Sequence, residues 1–166
     1  MAAVLRRWWF WAGAGVVLVA LVSWVVWPRS TPAPRARPYL AYTACLLTDA
    51  QGVAGADAVP VWAGMQDASL ATHAKVEYLP VLGEDTVANA RPYLASLLQR
   101  QCAMVIAVGT AEVGAVRADA SAHPQVRFVS VGGGSGGGNV TVVPAGSGAR
   151  KQVADAVTAG VRASSR

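Results

Sequence analysis

Residues 103–108 read Ala-Met-Val-Ile-Ala-Val, six apolar side chains in succession, with Cys102 before them and Gly109-Thr110 after. A strand with one wet face alternates apolar and polar residues, so an unbroken run of this length fits a strand covered on both faces, in the middle of a parallel sheet. Outward from it, short apolar runs alternate with longer amphipathic stretches. Upstream, the pattern predicts a strand at 39–47 (YLAYTACLL), a helix at 59–74, a strand at 76–81 and a helix at 86–101. Pro92 falls inside that second helix, which places its start near Arg91 or a kink there. Downstream, a helix at 111–123 stopped by Pro124 is followed by a strand at 126–131, a glycine run at 132–138, a short strand at 139–143 and a helix at 149–163. Strand–helix alternation with short connections predicts an α/β fold, a doubly wound parallel sheet of flavodoxin-like order 2-1-3-4-5.

In such sheets ligands collect at the carboxyl ends of the strands, beside the point where strand order reverses. Thr48, Asp49, Thr110 and Glu112 fall there, with side chains able to donate and accept hydrogen bonds to a polar ligand. Capping of the helices that follow accounts for the same residue types. Trp62 either stacks on a ring near the first loop or, on a helix with Val59, Ala63 and Met65, packs in the core.

The glycine run contains a Gly-x-Gly-x-x-Gly match at Gly132, Gly134 and Gly137. A dinucleotide fingerprint must follow the first strand and open a helix, whereas this run precedes a β-branched segment, so it reads as a flexible connector. Cys45 and Cys102 are too few for a metal site with His73 and His123. Neighbouring first and third strands allow a disulfide between them if the registers agree; two buried thiols are the alternative. No nucleophile–base or paired-carboxylate constellation stands out, which argues against an enzyme, and nothing in the sequence calls for a cofactor or metal.

The formal net charge is +5, with 54% hydrophobic residues, and the pI is 9.8. Arg6, Arg7, Arg29, Arg35 and Arg37 supply all of that excess, because from Pro38 onward nine basic residues balance nine acidic ones. A nucleic-acid-binding domain needs a concentrated basic face, so that class is disfavoured. The front of the chain has a different character. Residues 8–27 carry no charge and place Trp8, Trp9, Trp11, Trp24 and Trp27 towards the two ends. As a helix they would span roughly 30 Å, a bilayer's hydrocarbon thickness, with an aromatic belt at each interface. Bulky residues where a cleavage site would need small ones favour an uncleaved signal anchor. Two arginines precede the span and three follow it, so charge alone leaves the orientation open. The short front tail favours 1–7 as a cytoplasmic tail, with 28–38 (PRSTPAPRARP) a semi-rigid linker carrying an extracytoplasmic domain at 39–166. The expected location is the cell membrane, as a single-pass protein. The bias to arginine over lysine, with abundant Ala, Val and Gly, suggests a GC-rich bacterial genome.

Residues 43–69 (TACLLTDAQGVAGADAVPVWAGMQDAS) and 102–133 (CAMVIAVGTAEVGAVRADASAHPQVRFVSVGG) resemble the first lobe of the basic membrane protein family. These are the purine-nucleoside-receptor-like substrate-binding proteins of ABC transporters, with the periplasmic-binding-protein type I fold. The likeness runs over about residues 40–145, most specifically at Leu47-Thr48-Asp49, Trp62-Ala63-Gly64 and Val105 to Gly109. It implies a solute-binding lobe in which Asp49 and Asp57 contact ligand. The polar loop by which the family grips a nucleoside is replaced here by Val53-Ala54-Gly55-Ala56-Asp57-Ala58, and no second lobe follows in the 166 residues. The expected function is therefore a membrane-anchored, solute-binding-like lobe, degenerate towards nucleosides, with Thr48, Asp49, Asp57, Thr110 and Glu112 at its site. A second lobe, a dimer mate or a transporter would be its protein partner. The alternative is an envelope interaction module that docks a partner protein without a small ligand.

Overall fold

The computed structural model describes residues 39–165. The expected tail, membrane span and linker (1–7, 8–27 and 28–38) lie outside the described residues. Among those described, no helix is long and apolar enough to cross a membrane.

Five strands, β1 (Thr43–Thr48), β2 (Lys75–Pro80), β3 (Met104–Val108), β4 (Arg127–Val131) and β5 (Val140–Val143), form one parallel sheet of order β2-β1-β3-β4-β5. Four helices connect or follow them: α1 (Ala58–Thr72), α2 (Val87–Gln99), α3 (Thr110–Asp119) and α4 (Ala149–Ser164). The register pairs Leu46 with Tyr78 on one side of β1 and with Ile106 on the other, and pairs Ile106 with Val129.

The apolar run on β3 serves two cores. Met104, Ile106 and Val108 point into the cluster that α1 and α4 cover, with Leu46, Val61, Met65, Val153 and Val157. Val105 and Ala107 point to the opposite face, where α2 and α3 bring Leu94, Leu97, Val113 and Val116 against Leu47 and Phe128. Alternation of side chains along a strand forces this division, and burial of both faces removes any place for a polar residue. The outer strands β2 and β5 are correspondingly more exposed.

The first strand is shorter than its apolar run suggests. Residues 39–42 precede it, held by Leu40 N–H donating to His73 O, just past α1, at 2.9 Å and by Lys75 N–H, at the start of β2, donating to Tyr42 O at 2.8 Å. α1 stops at Thr72 because His73 turns into the left-handed region (φ 62°) and donates its N–H to Ser69 O. Pro92 does not set the start of α2. Thr86 does so from an extended conformation, its Oγ1 accepting from the Asn89 N–H at 3.2 Å, so the helix begins four residues earlier than Arg91.

Cys45 and Cys102 form a disulfide with Cα atoms 5.9 Å apart, joining β1 to the turn that leads into β3. Glu77, opposite Cys45 on β2, sets its Oε1 3.2 Å from Cys45 Sγ and accepts from Arg100 Nη1 at 3.4 Å through Oε2. Bonded sulfurs carry no proton, so the approach to sulfur is a contact, and Arg100 is what balances the carboxylate charge.

Candidate functional site

Strand order reverses between β1 and β3, and their carboxyl ends open into a cleft of about 220 Å³. Thr48 and Asp49 from the end of β1, Gln51, the segment Gly55 to Ala58 that opens α1, and Val108 and Gly109 from the end of β3 line it. Thr48, the last residue of β1, is fully buried, and its Oγ1 has no hydrogen-bond partner. Asp49 follows it, half-buried, with Oδ1 accepting from the Gln51 N–H at 2.9 Å. That bond folds the chain back two residues on, as short acidic side chains do in turns. Asp57 stands exposed at the start of α1 and caps no backbone N–H there. The sequence-predicted residues Thr48, Asp49 and Asp57 thus share one cleft.

Thr110 and Glu112 are placed differently. Thr110 is the first residue of α3, exposed, and is not among the cleft residues. The residue before it, Gly109, has φ 115°, which lets the chain leave β3 and enter α3 at once. Glu112, in the first turn of α3, is 1% exposed, and its Oε2 is unpartnered. Its carboxylate fills the space where a β-carbon on Gly109 would sit. Burial holds the Glu112 carboxyl above the usual carboxylate range; its own backbone N–H opposes the shift, and the charges of Asp85 and Asp49 add to it. Asp85 stands beyond the carboxyl end of the second strand, where the sheet pattern places it, but it is not among the expected site residues and does not line the cleft. It lies in the turn before α2, a turn fixed by Asn89 Nδ2 donating to Leu82 O and Glu84 O at 2.9 Å each. Spacing from the end of β2 is the only sequence signal that could have found it.

Trp62 is half-buried against the α1–α4 core and meets Tyr78 of β2 edge-on, with ring centroids 5.5 Å apart. It is not among the cleft residues. The glycine run connects β4 to β5 and opens no helix; Gly137 and Val140 exchange backbone hydrogen bonds at 3.0 Å. Beside it, a shallow depression of about 690 Å³ is lined by Arg117, Ser130 and Asn139 among others. Asn139 Nδ2 is already committed there to Ala120 O, His123 O and Val126 O. Another depression of similar size lies at the opposite ends of β1 and β2, beside Lys75 and Glu77. Both are larger than the switch-point cleft, but neither contains a buried side chain left without a partner.

No protein-family model matches the chain, and no curated protein matches it. Among solved structures it is similar to one described as "Crystal structure of putative lipoprotein from Peptoclostridium difficile 630 (fragment)". The two are 14% identical with a TM-score of 0.56, and the match covers 74% of this chain and 97% of that one. At that identity the likeness speaks for the fold alone.

Proposed function

We propose that the chain is a membrane-anchored, extracytoplasmic, non-enzymatic lobe of the solute-binding type, related to the substrate-binding proteins of ABC transporters. The observation that carries this reading is the switch-point cleft with the buried, unpartnered Thr48 hydroxyl in its wall and Asp49 and Asp57 beside it. A hydroxyl left without a partner in a cleft wall is a place where a polar solute supplies the missing hydrogen bond. The disulfide supports an oxidising compartment, where such bonds persist. The composition of residues 8–27 supports a membrane anchor, and the short stretch before it favours a domain held outside. One lobe buries only one side of a solute, so a dimer mate, a separate chain or a transporter would complete the enclosure.

Titration calorimetry of the chain with a panel of nucleosides and related polar solutes tests the reading. Saturable heat that Asp49→Ala weakens without unfolding the domain supports it, and silence across the panel with a folded circular dichroism spectrum removes it. A periplasmic-type reporter fused after Arg166 should be active. The second reading, a module that docks a partner protein, draws on the exposure of the outer strands, where Tyr78 and Val142 are accessible. Recovery of one stoichiometric membrane partner together with silence in calorimetry would favour it.

A further inference from the structure

The switch-point cleft is one-sided in charge. Asp49 and Asp57 line it, the Glu112 carboxylate lies behind Gly109, and Asp85 is near enough to act on Glu112. No lysine or arginine lines the cleft, and none is among the groups acting on Glu112. Arg91, Arg100, Arg150 and Lys151 are paired elsewhere, with Asp119, Glu77, Asp67 and Asp155. A concave site lined by one sign of charge concentrates the opposite sign.

A second observation, independent of charge, points to a ligand. Thr48 and Glu112 are 0% and 1% exposed, yet Thr48 Oγ1 and Glu112 Oε2 have no hydrogen-bond partner. Both can accept, and an acceptor buried without a donor is costly. A bare divalent cation is a poor match, because it needs six or more oxygens gathered closely round one point. Among the described residues the one acidic or thiol trio within 4.8 Å is Cys45, Glu77 and Cys102, away from the cleft and with its sulfurs already bonded to each other. A primary ammonium differs in that it carries three donors and no acceptor on one charged centre, and its carbon body extends across a cleft.

We propose that the cleft receives a small organic cation whose primary ammonium group sits on Thr48 and Asp49, with the Asp57 carboxylate on the same wall. This rests on the solute-binding reading above and names the class of solute. Neutral solutes of the same shape would lack both the charge and the donors.

Saturation-transfer NMR on the full chain in detergent micelles tests it, with benzylammonium, its neutral counterpart benzyl alcohol, and adenosine as probes. Asp49→Asn keeps an oxygen for the Gln51 N–H, and Thr48→Val keeps the shape of the β1 end, so both should fold, as circular dichroism would show. The expected result is saturable transfer to benzylammonium, weakened at least about five-fold in each variant and by added salt, with no variant-sensitive transfer to benzyl alcohol. Equal binding of the alcohol, or ammonium binding indifferent to both variants, overturns the assignment. Adenosine transfer lost in Asp49→Asn, with none to benzylammonium, overturns the assignment while leaving the solute-binding reading standing. No variant-sensitive transfer from any probe to a folded chain overturns both.

Discussion

The carboxylate of Glu112 occupies the space that a β-carbon on Gly109 would fill. Both the exit from β3 and the first turn of α3 depend on that arrangement. Gly109→Ala places a methyl against the carboxylate at φ 115°, a conformation alanine resists. The expected loss is about 2–4 kcal/mol in urea unfolding. Adding Glu112→Ala should recover the steric part and leave the backbone part, a coupling that a double-mutant cycle measures.

The raised Glu112 carboxyl pKa makes stability depend on pH in a fixed direction. A carboxyl whose folded pKa lies above its unfolded one stabilises most below the usual carboxylate range, and that contribution is lost as pH rises through the folded value. Glu112→Gln removes the titration. The variant should match the parent near pH 4 and exceed it by on the order of 1 kcal/mol at pH 8, after allowance for solvent screening at the cleft. Parallel melting curves across that range would contradict the assignment.

Removing the disulfide with Cys45→Ala and Cys102→Ala frees a loop of 57 residues' separation. Chain entropy puts the expected loss at about 4 kcal/mol. Denaturation of the parent with and without reductant should reproduce most of it, and native-state alkylation should modify neither cysteine until reductant is present.

α1 and α4 touch through Gly64, where a β-carbon would collide with the Arg150 carbonyl. Gly64→Ala must push the helices apart, at an expected cost of about 1–3 kcal/mol. One turn away on the surface, Arg150 donates two hydrogen bonds to Asp67, at 2.7 and 3.0 Å. Both side chains are exposed, so Asp67→Asn should leave the melting temperature close to the parent's.

Asn139 donates through Nδ2 to three carbonyls, tying the start of β5 to the turn after α3. Asn139→Ala takes this donor from the Val126 carbonyl, while Ala120 O and His123 O keep the His123 and Val126 N–H groups, for an expected loss of about 1–3 kcal/mol. Hydrogen exchange should show the damage first in β5, whose amides would lose protection before those of β3.

Strand order and both cores were legible because the signal, short apolar runs separated by amphipathic stretches, comes directly from burial on two faces. The start of β1 was not legible, since Tyr39 and Leu40 look like strand residues but are exposed ahead of the sheet. The start of α2 was obscured by Pro92, whose effect on a helix is strong in general but here is overruled by the Thr86 cap and the packing of Ala90, Leu94 and Leu97. At the site, Thr48 and Asp49 could be placed from their position at the end of the first strand, and Asp57 only through the family resemblance. Glu112 could be placed only as to its element: an acidic residue in the first turn of a helix is ordinarily a surface feature, and only the missing β-carbon three residues earlier makes room to bury it. Glu77 gave no sign of its place beside the disulfide, because cross-strand neighbours are set by register.

The covalent tie between β1 and the turn into β3 holds together the two strands that flank the switch-point cleft. A receptor that gains its fit by closing must wait for a slow rearrangement at each capture and each release. Tied at the amino end of β3, the two strands hold their places below the cleft, and a lobe that takes solute as proposed would offer it a surface already formed. First contact with this lobe would then run at the pace of diffusive encounter, and residence time would depend on the partner that completes the enclosure.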